Sequence, residues 1–219
     1  MSDLPAFALD PAAAPVVLYA DAALLVVEKP AGLLSVPGRG DDKQDCLIAR
    51  LQHEYPDVRI VHRLDQDTSG LLVVARDADV HRELSRQFHD REVEKVYAAL
   101  ALGHIAETAG TIDLPLRYDP PSKPRHVVDP VEGQSALTEW RVVARQSGLT
   151  RVALVPHTGR THQLRVHLQA LGHPLLGDSL YAPAEACPPG SRLCLHAETL
   201  GFVHPLHGGR LRFTRPAPF

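Results

Sequence analysis

An arginine and two carboxylates crowd the stretch Val61-His62-Arg63-Leu64-Asp65-Gln66-Asp67-Thr68-Ser69-Gly70, directly ahead of the apolar run Leu71-Leu72-Val73-Val74. A carboxylate at the mouth of a core strand is costly unless it is solvated, paired or hydrogen-bonded. Chemistry supplies a reason to keep one there, because an ionised Asp65 can act as nucleophile, general base or electrostatic stabiliser. To stay charged in a cleft it needs a cation or hydrogen-bond donors nearby. Thr68, Ser69 and the turn amides are candidate donors. Taken alone, an Asx bond that caps the turn accounts for the same residues equally well.

A second constellation is Thr158-Gly159-Arg160-Thr161-His162-Gln163-Leu164-Arg165-Val166-His167. Leu164, Leu168 and Leu171 recur at i, i+4, i+7, which predicts a helix over 159–171 with a leucine face buried. His162, Arg165 and Gln169 then share another face. A guanidinium held there can grip a carboxylate or phosphate through two parallel bonds, although a solvated polar face is the plainer explanation of such a helix. Tyr97, in Lys95-Val96-Tyr97, reads as a strand residue that packs unless site residues surround it. His157, His162, His167 and His173 lack i, i+4 pairing and an accompanying carboxylate, so a metal site is not expected. Arg82, Arg86, Arg91, Lys123, Arg125, Arg141 and Arg145 together offer a phosphate track. Its two densest patches are the face shared by Arg82 and Arg86 and the basic, proline-rich segment 117–126.

The elements that must position these groups follow from patterning. Apolar runs at 16–19 and 24–28 predict a hairpin or two paired strands. Cys46, Ile48 or Ala49, and Leu51 give a short helical stripe that stops at Tyr55-Pro56. Residues 71–75 read as a buried strand, and Asp77 as the N-cap of a helix running to about Arg91 with Val80, Leu84 and Phe88 on one face. Residues 93–102 read as a strand. Runs at 137–144 and 149–156 form a hairpin turning at Gln146-Ser147-Gly148. From Leu193 onward strand-like runs alternate with Gly/Pro breaks. Helices and strands are interspersed without a regular alternation, which favours an α+β fold on one mixed sheet over a doubly wound one. Residues 1–15 form an Ala/Pro-rich arm.

The composition frames what such a site can be. The chain has 219 residues, 44% hydrophobic and 22% charged, with a formal net charge of -3. A nucleic-acid partner would therefore have to be gripped by local basic patches. Three cysteines without zinc spacing point to free thiols in a reducing compartment. The first residues carry no signal-peptide pattern, and the longest clean apolar run is too short to cross a bilayer. A cytoplasmic protein is expected.

The combined motifs carry a resemblance. His62-Arg63-Leu64-Asp65-Gln66-Asp67-Thr68-Ser69-Gly70 resembles the H-R-L-D-x-x-T-S-G signature of the RluA family of pseudouridine synthases. Val26-Val27-Glu28-Lys29-Pro30-Ala31-Gly32-Leu33, Lys95-Val96-Tyr97 and the 159–167 segment match further motifs of that family in order, and Gly172-His173-Pro174 and Leu195-His196-Ala197 also fit. The resemblance implies one catalytic domain over 16–219 on an α+β fold: a long, mixed, mostly antiparallel sheet flanked by helices and loops, with a central active-site cleft. The signature arrives too early to leave room for the S4-type RNA-binding domain that many relatives carry. The compact length and Leu34-Ser35-Val36-Pro37-Gly38-Arg39 are similar to the ribosomal large-subunit branch with dual specificity for 23S rRNA and tRNA.

By that resemblance Asp65 is the catalytic aspartate, Tyr97 the active-site tyrosine, Arg165 the partner of Asp65, and Arg63 the residue that displaces the target uridine from its stack. His62, Thr68, Arg82, Arg86, Lys123, Arg125, Arg160 and His162 are the other expected RNA contacts. The implied substrates are a tRNA anticodon stem-loop and a 23S rRNA hairpin. The expected enzyme is a monomer that uses no cofactor and no metal and touches no membrane. Two other readings compete. Asp65-Gln66-Asp67 echoes the D-x-D of a magnesium-dependent phosphatase of haloacid dehalogenase type, but His62-Arg63-Leu64 is not the apolar strand that chemistry wants before its nucleophile. A non-catalytic RNA-binding module explains the basic loop but not a carboxylate at the centre of the best motif.

Overall fold

The computed structural model describes residues 4–10, 12–146 and 148–219. Met1, Ser2, Asp3 and Pro11 of the N-terminal arm, and Ser147 of the Gln146-Ser147-Gly148 turn, lie outside the described residues. The chain divides into two compact units, one built from residues 10–95 and 196–218, the other from residues 4–9, 96–195 and 219.

In the first unit, β1 (Val16–Ala20) and β2 (Leu24–Lys29) form the expected antiparallel hairpin. Its turn is fixed by Asp21, whose Oδ1 accepts from the Ala23 and Leu24 amides at 2.7 and 2.9 Å. Helix α1 (Leu47–Gln52) buries Leu47, Ile48 and Leu51. A two-residue strand, β3 (Arg59–Ile60), leads toward the Asp65 turn. β4 (Ser69–Ala75) is buried at every position. It pairs antiparallel with β2 and β3, and its burial on both faces explains why its sequence is a continuous apolar run rather than an alternation. Helix α2 (Ala78–His89) begins as expected, with Asp77 Oδ1 accepting from the Asp79 and Val80 amides, both at 2.8 Å. It sets Val80 and Leu84 against Leu71, Val73, Leu200 and Phe202 in the core of this unit.

Strand β5 (Glu94–Leu102) carries the chain out of the first unit and into the second. There it pairs with β10 (Leu149–Pro156), β10 with β9 (Leu137–Gln146), and β9 with β6 (Ala109–Asp113), all antiparallel. Between β6 and β9 a small separate hairpin forms from β7 (Leu116–Tyr118) and β8 (His126–Val128). The segment 117–126, read as a basic loop, is thus the tip of a hairpin. Helix α3 (Gln163–Ala170) packs Leu164 and Leu168 on Val152, Leu154 and Leu175. The chain returns through β11 (Leu195–Val203), which pairs parallel with β4 and antiparallel with β12 (Arg210–Thr214) in the first unit. The architecture is α+β, a mixed and mostly antiparallel sheet flanked by helices, as expected. No helix among the described residues is long and apolar enough to cross a membrane.

Helix α3 starts four residues later than predicted, because His162 takes a left-handed conformation (φ 57°) just before it. A buried polar network then locks the helix to β9. His167 Nε2 faces the Leu114 carbonyl at 3.0 Å and must donate to it, so Nδ1 accepts from Thr138 Oγ1 at 2.9 Å. Thr138 Oγ1 accepts in turn from Gln163 Nε2 at 2.9 Å, and Gln163 Oε1 accepts from Thr158 Oγ1 at 2.8 Å. Every buried polar group in this chain has one direction open to it, which fixes the register of α3. Burial lowers the His167 pKa and keeps the ring neutral, as the network requires.

Candidate active site

In the first unit the structure builds a braced turn around Asp65. The Asp65 carbonyl accepts from the Thr68 amide at 3.1 Å, closing the turn. Ser35 Oγ clasps the residue before: it donates to the Leu64 carbonyl at 2.7 Å and accepts from the Leu64 amide at 3.2 Å. The residue after is held by Lys29. This fully buried ammonium donates to the carbonyls of Gln66, Pro30 and Leu33 at 2.9, 2.8 and 2.7 Å. The Gly32 amide also donates to the Gln66 carbonyl, at 2.9 Å. The Asp65 side chain is half-buried and Arg63 is exposed, while Leu64 and Thr68 are buried.

The far end of the turn is fixed with equal care. Ser69 Oγ lies 2.7 Å from His196 Nδ1, and His196 Nε2 lies 3.0 Å from the Arg215 carbonyl. A carbonyl only accepts, so Nε2 carries a proton, and the Ser69 hydroxyl is tied to Nδ1 on the other side of the ring. Gly70 follows at φ 120°, and a Cβ there would lie 2.4 Å from the Ala197 carbonyl oxygen, so no larger residue fits the parallel β4–β11 contact.

His62, expected to touch RNA, has a scaffold task. Its Nε2 accepts from the Val73 amide at 3.2 Å, and its ring stacks on Phe88 with centroids 4.2 Å apart. Burial, with Lys95 nearby, pushes its pKa down to about 3. The cationic form that a phosphate contact favours is therefore disfavoured. Arg82 and Arg86 are likewise committed. Arg82 pairs with Asp79 at 2.8 Å, and Arg86 bridges Glu83, Asp90 and Glu92 at 2.8 to 2.9 Å. Four carboxylates on and just beyond α2 thus accompany two guanidiniums, which weakens the case of this face as a phosphate grip.

In the second unit Arg165 is the centre of a desolvated cluster. Its side chain is 2% exposed, and Nε and Nη2 form a bidentate pair with Oδ2 and Oδ1 of fully buried Asp178 at 2.8 and 2.7 Å. The expected solvated helix face is therefore a buried one at Arg165, while Gln169 is exposed. Asp178 Oδ1 also accepts from the amides of Leu180 and Tyr181 at 3.0 and 3.1 Å. Two of the five N–H groups of a guanidinium serve Asp178; the expected pairing with Asp65 concerns the others. The Arg165 Cζ stands 5.1 Å from the Tyr181 ring centroid. The Tyr181 hydroxyl accepts from the His126 amide at 2.8 Å and lies 2.7 Å from His162 Nδ1. Arg125 lies over the same ring at 6.0 Å.

The second unit thus gathers Arg165, His162 and Arg125 around Tyr181. Lys123 and Arg125 are exposed on the β7–β8 tip, and exposed Arg160 donates through Nε to the Ser135 carbonyl at 3.0 Å. Tyr97 is half-buried in β5, opposite Leu154 of β10. Three residues escaped the sequence reading: Lys29, seen only as part of a turn, and Asp178 and Tyr181. The one signal for Asp178 and Tyr181 is the order Gly177-Asp178-Ser179-Leu180-Tyr181, an acid and an aromatic in a turn downstream of a buried arginine. Among the described residues no cluster of histidine, cysteine and carboxylate side chains is arranged to hold a metal.

This geometry has clear relatives. Residues 23–170 match the family of RNA pseudouridylate synthases. The dual-specificity RNA pseudouridine synthase RluA of Yersinia pestis is 49% identical over 205 residues, covering 93% of this chain and 100% of the relative. Its counterpart from Escherichia coli K12 is also 49% identical, covering 93% of this chain and 94% of its own length. Among solved structures, human RNA pseudouridylate synthase domain containing 1 superimposes with a TM-score of 0.80 at 31% identity, covering 96% of this chain and 87% of the human one. A braced aspartate turn and a buried arginine, set in a chain that aligns with these enzymes almost end to end, place it in the RluA family of RNA pseudouridine synthases.

Proposed function

We propose that Asp65 is the catalytic carboxylate, that Arg165 is its partner, that Tyr97 stacks on the target base or takes its C5 proton, and that Arg63 fills the space the base vacates. The reaction is an isomerisation. The N1–C1′ bond of uridine breaks, C5 bonds to C1′, and the proton lost from C5 is balanced by one gained at N1, so no redox or energy cofactor is consumed. Asp65 has three routes open: attack at C1′, removal of the 2′ proton, or addition at C6. Taking the uridine out of its stack costs a few kcal/mol, least in a loop, and exposed Arg63 suits that task through stacking or phosphate pairing.

A single observation carries the reading. The backbone on either side of Asp65, at Leu64 and Gln66, is held by the buried donors Ser35 and Lys29, while Asp65 itself is half-buried. Such a turn is rigid in the way preorganised catalysis requires. The substrates we assign are a tRNA anticodon stem-loop and a 23S rRNA hairpin, by likeness to the dual-specificity relatives, bound by a cytoplasmic monomer whose catalytic domain is 16–219. The exposed Lys123 and Arg125 are the assigned outer grip. The test is to incubate the protein with tRNA and 23S rRNA transcripts and map pseudouridine chemically. Asp65→Asn should yield none while RNA affinity stays within a few fold; product from that variant would overturn the assignment.

A further inference from the structure

Most basic side chains of the first unit are already committed. Arg82 serves Asp79 and Arg86 serves Glu83 and Glu92, Arg210 and Arg212 both hold Glu94, Arg215 holds Glu28, and Arg50 holds Asp45. Lys95 is different. It is half-buried at the start of β5, yet among the described residues it makes no hydrogen bond and no ion pair. The carboxylates flanking it in sequence are taken, Glu92 by Arg86 and Glu94 by Arg210 and Arg212. Its charged surroundings are repulsive. Arg91, exposed and in a left-handed conformation (φ 62°), adds a second positive charge, and the nearby His62 ring has its Nε2 occupied by the Val73 amide.

A cation kept partly out of water beside another cation, with no counter-charge, is unfavourable for folding. Burial and Arg91 accordingly lower the Lys95 pKa. Such an arrangement is relieved when an anion arrives, and groups perturbed in this way cluster at functional sites. We infer that Lys95, supported by Arg91, is an anion subsite that takes one phosphodiester of the RNA backbone. It stands two residues before Tyr97 in β5, so the phosphate it takes belongs at or beside the target nucleotide. The site explains how a chain of net charge -3 adds a backbone contact close to the chemistry. It rests on RNA being the substrate and not on which RNA is modified.

The test measures RNA affinity against salt concentration for wild type, Lys95→Met, which keeps the stem and drops the charge, and Lys95→Arg. The probes are an anticodon stem-loop, a 23S hairpin and an unrelated hairpin; preference among the three reports on substrate choice, and the salt slope on whichever binds reports on Lys95. One lost phosphate contact lowers the slope by about 0.7 to 0.9, and we expect Lys95→Met to show that drop with roughly tenfold weaker binding at low salt, while Lys95→Arg keeps most of both. A second readout needs no variant: acetylation of Lys95 in the wild-type protein, followed by mass spectrometry, should be slowed severalfold by RNA. An unchanged slope in a folded Lys95→Met, or acetylation indifferent to bound RNA, overturns the subsite.

Discussion

The buried pair of Arg165 and Asp178 allows a sharp test of how the second unit holds its cation. The two side chains are 2% and 0% exposed, so water screens neither. Asp178→Asn keeps the volume and removes the charge. It also turns one oxygen, now accepting from a guanidinium N–H or from the Leu180 and Tyr181 amides, into a donor facing donors. Removing one partner of a buried ion pair costs about 3–5 kcal/mol. For a chain of this size each kcal/mol lowers Tm by about 2–4 °C, so a loss of about 10 °C is expected. The assay is urea unfolding of wild type, Asp178→Asn, Asp178→Leu, Arg165→Met and the double variant Arg165→Met/Asp178→Leu. Each single variant should lose about 3–5 kcal/mol. The double should lose far less than the sum of Asp178→Leu and Arg165→Met, because an apolar pair of similar volume restores packing. A loss below about 1 kcal/mol in Asp178→Asn, or additive losses in the double, would refute the argument that burial makes these two residues one unit.

Gly70→Ala should cost at least about 3 kcal/mol or prevent folding, since its Cβ would meet Ala197 backbone atoms at 2.4 and 2.5 Å at a φ that side chains rarely adopt; a wild-type urea midpoint would contradict this. Lys29→Met strips a donor from three carbonyls at about 1–3 kcal/mol for each group left unsatisfied, and should lower both stability and turnover because Gln66 adjoins Asp65; unchanged values of both would count against the brace. His62 stays neutral in the fold down to about pH 3 but protonates near 6.5 when unfolded. Its stability contribution is therefore complete above about pH 6.5 and falls with pH below it, by at most about 1.4 kcal/mol per pH unit. Urea midpoints followed from pH 7 to pH 5 should decline less steeply in His62→Gln than in wild type, and identical slopes would show that His62 is not the group responsible.

What was legible along the chain is what local physics decides. The Asp77 cap, the two long hairpins and the buried run of β4 each announce themselves through a side chain or a period, and each stands where expected. The strand β6 did not, because Ala109–Asp113 sits at the edge of its sheet with a mostly exposed pattern, and its place depends on β9. There Gly110 leaves room for the Trp140 ring, which a Cβ would approach to 2.8 Å. The β7–β8 hairpin was hidden by its prolines, which lie at the tip rather than in the strands.

The site divides along the same line. Asp65, Arg63 and Arg165 stood out because a charge next to apolar sequence demands an explanation. The groups that hold them did not. Lys29 looks like an ordinary turn lysine until its three carbonyl partners converge on it, one of them 37 residues away. Asp178 lies 13 residues beyond Arg165 in an irregular segment with no period to follow. His62 and Arg86 illustrate the converse: each looks available for RNA in the sequence, and the fold gives both protein partners. A sequence displays which charges need a reason, but whether a charge is spent on the fold or kept for a ligand depends on partners brought from far along the chain. By that criterion Lys95, half-buried with its neighbouring carboxylates already taken, is a stronger candidate for an RNA contact than Arg86, whose guanidinium three carboxylates already hold.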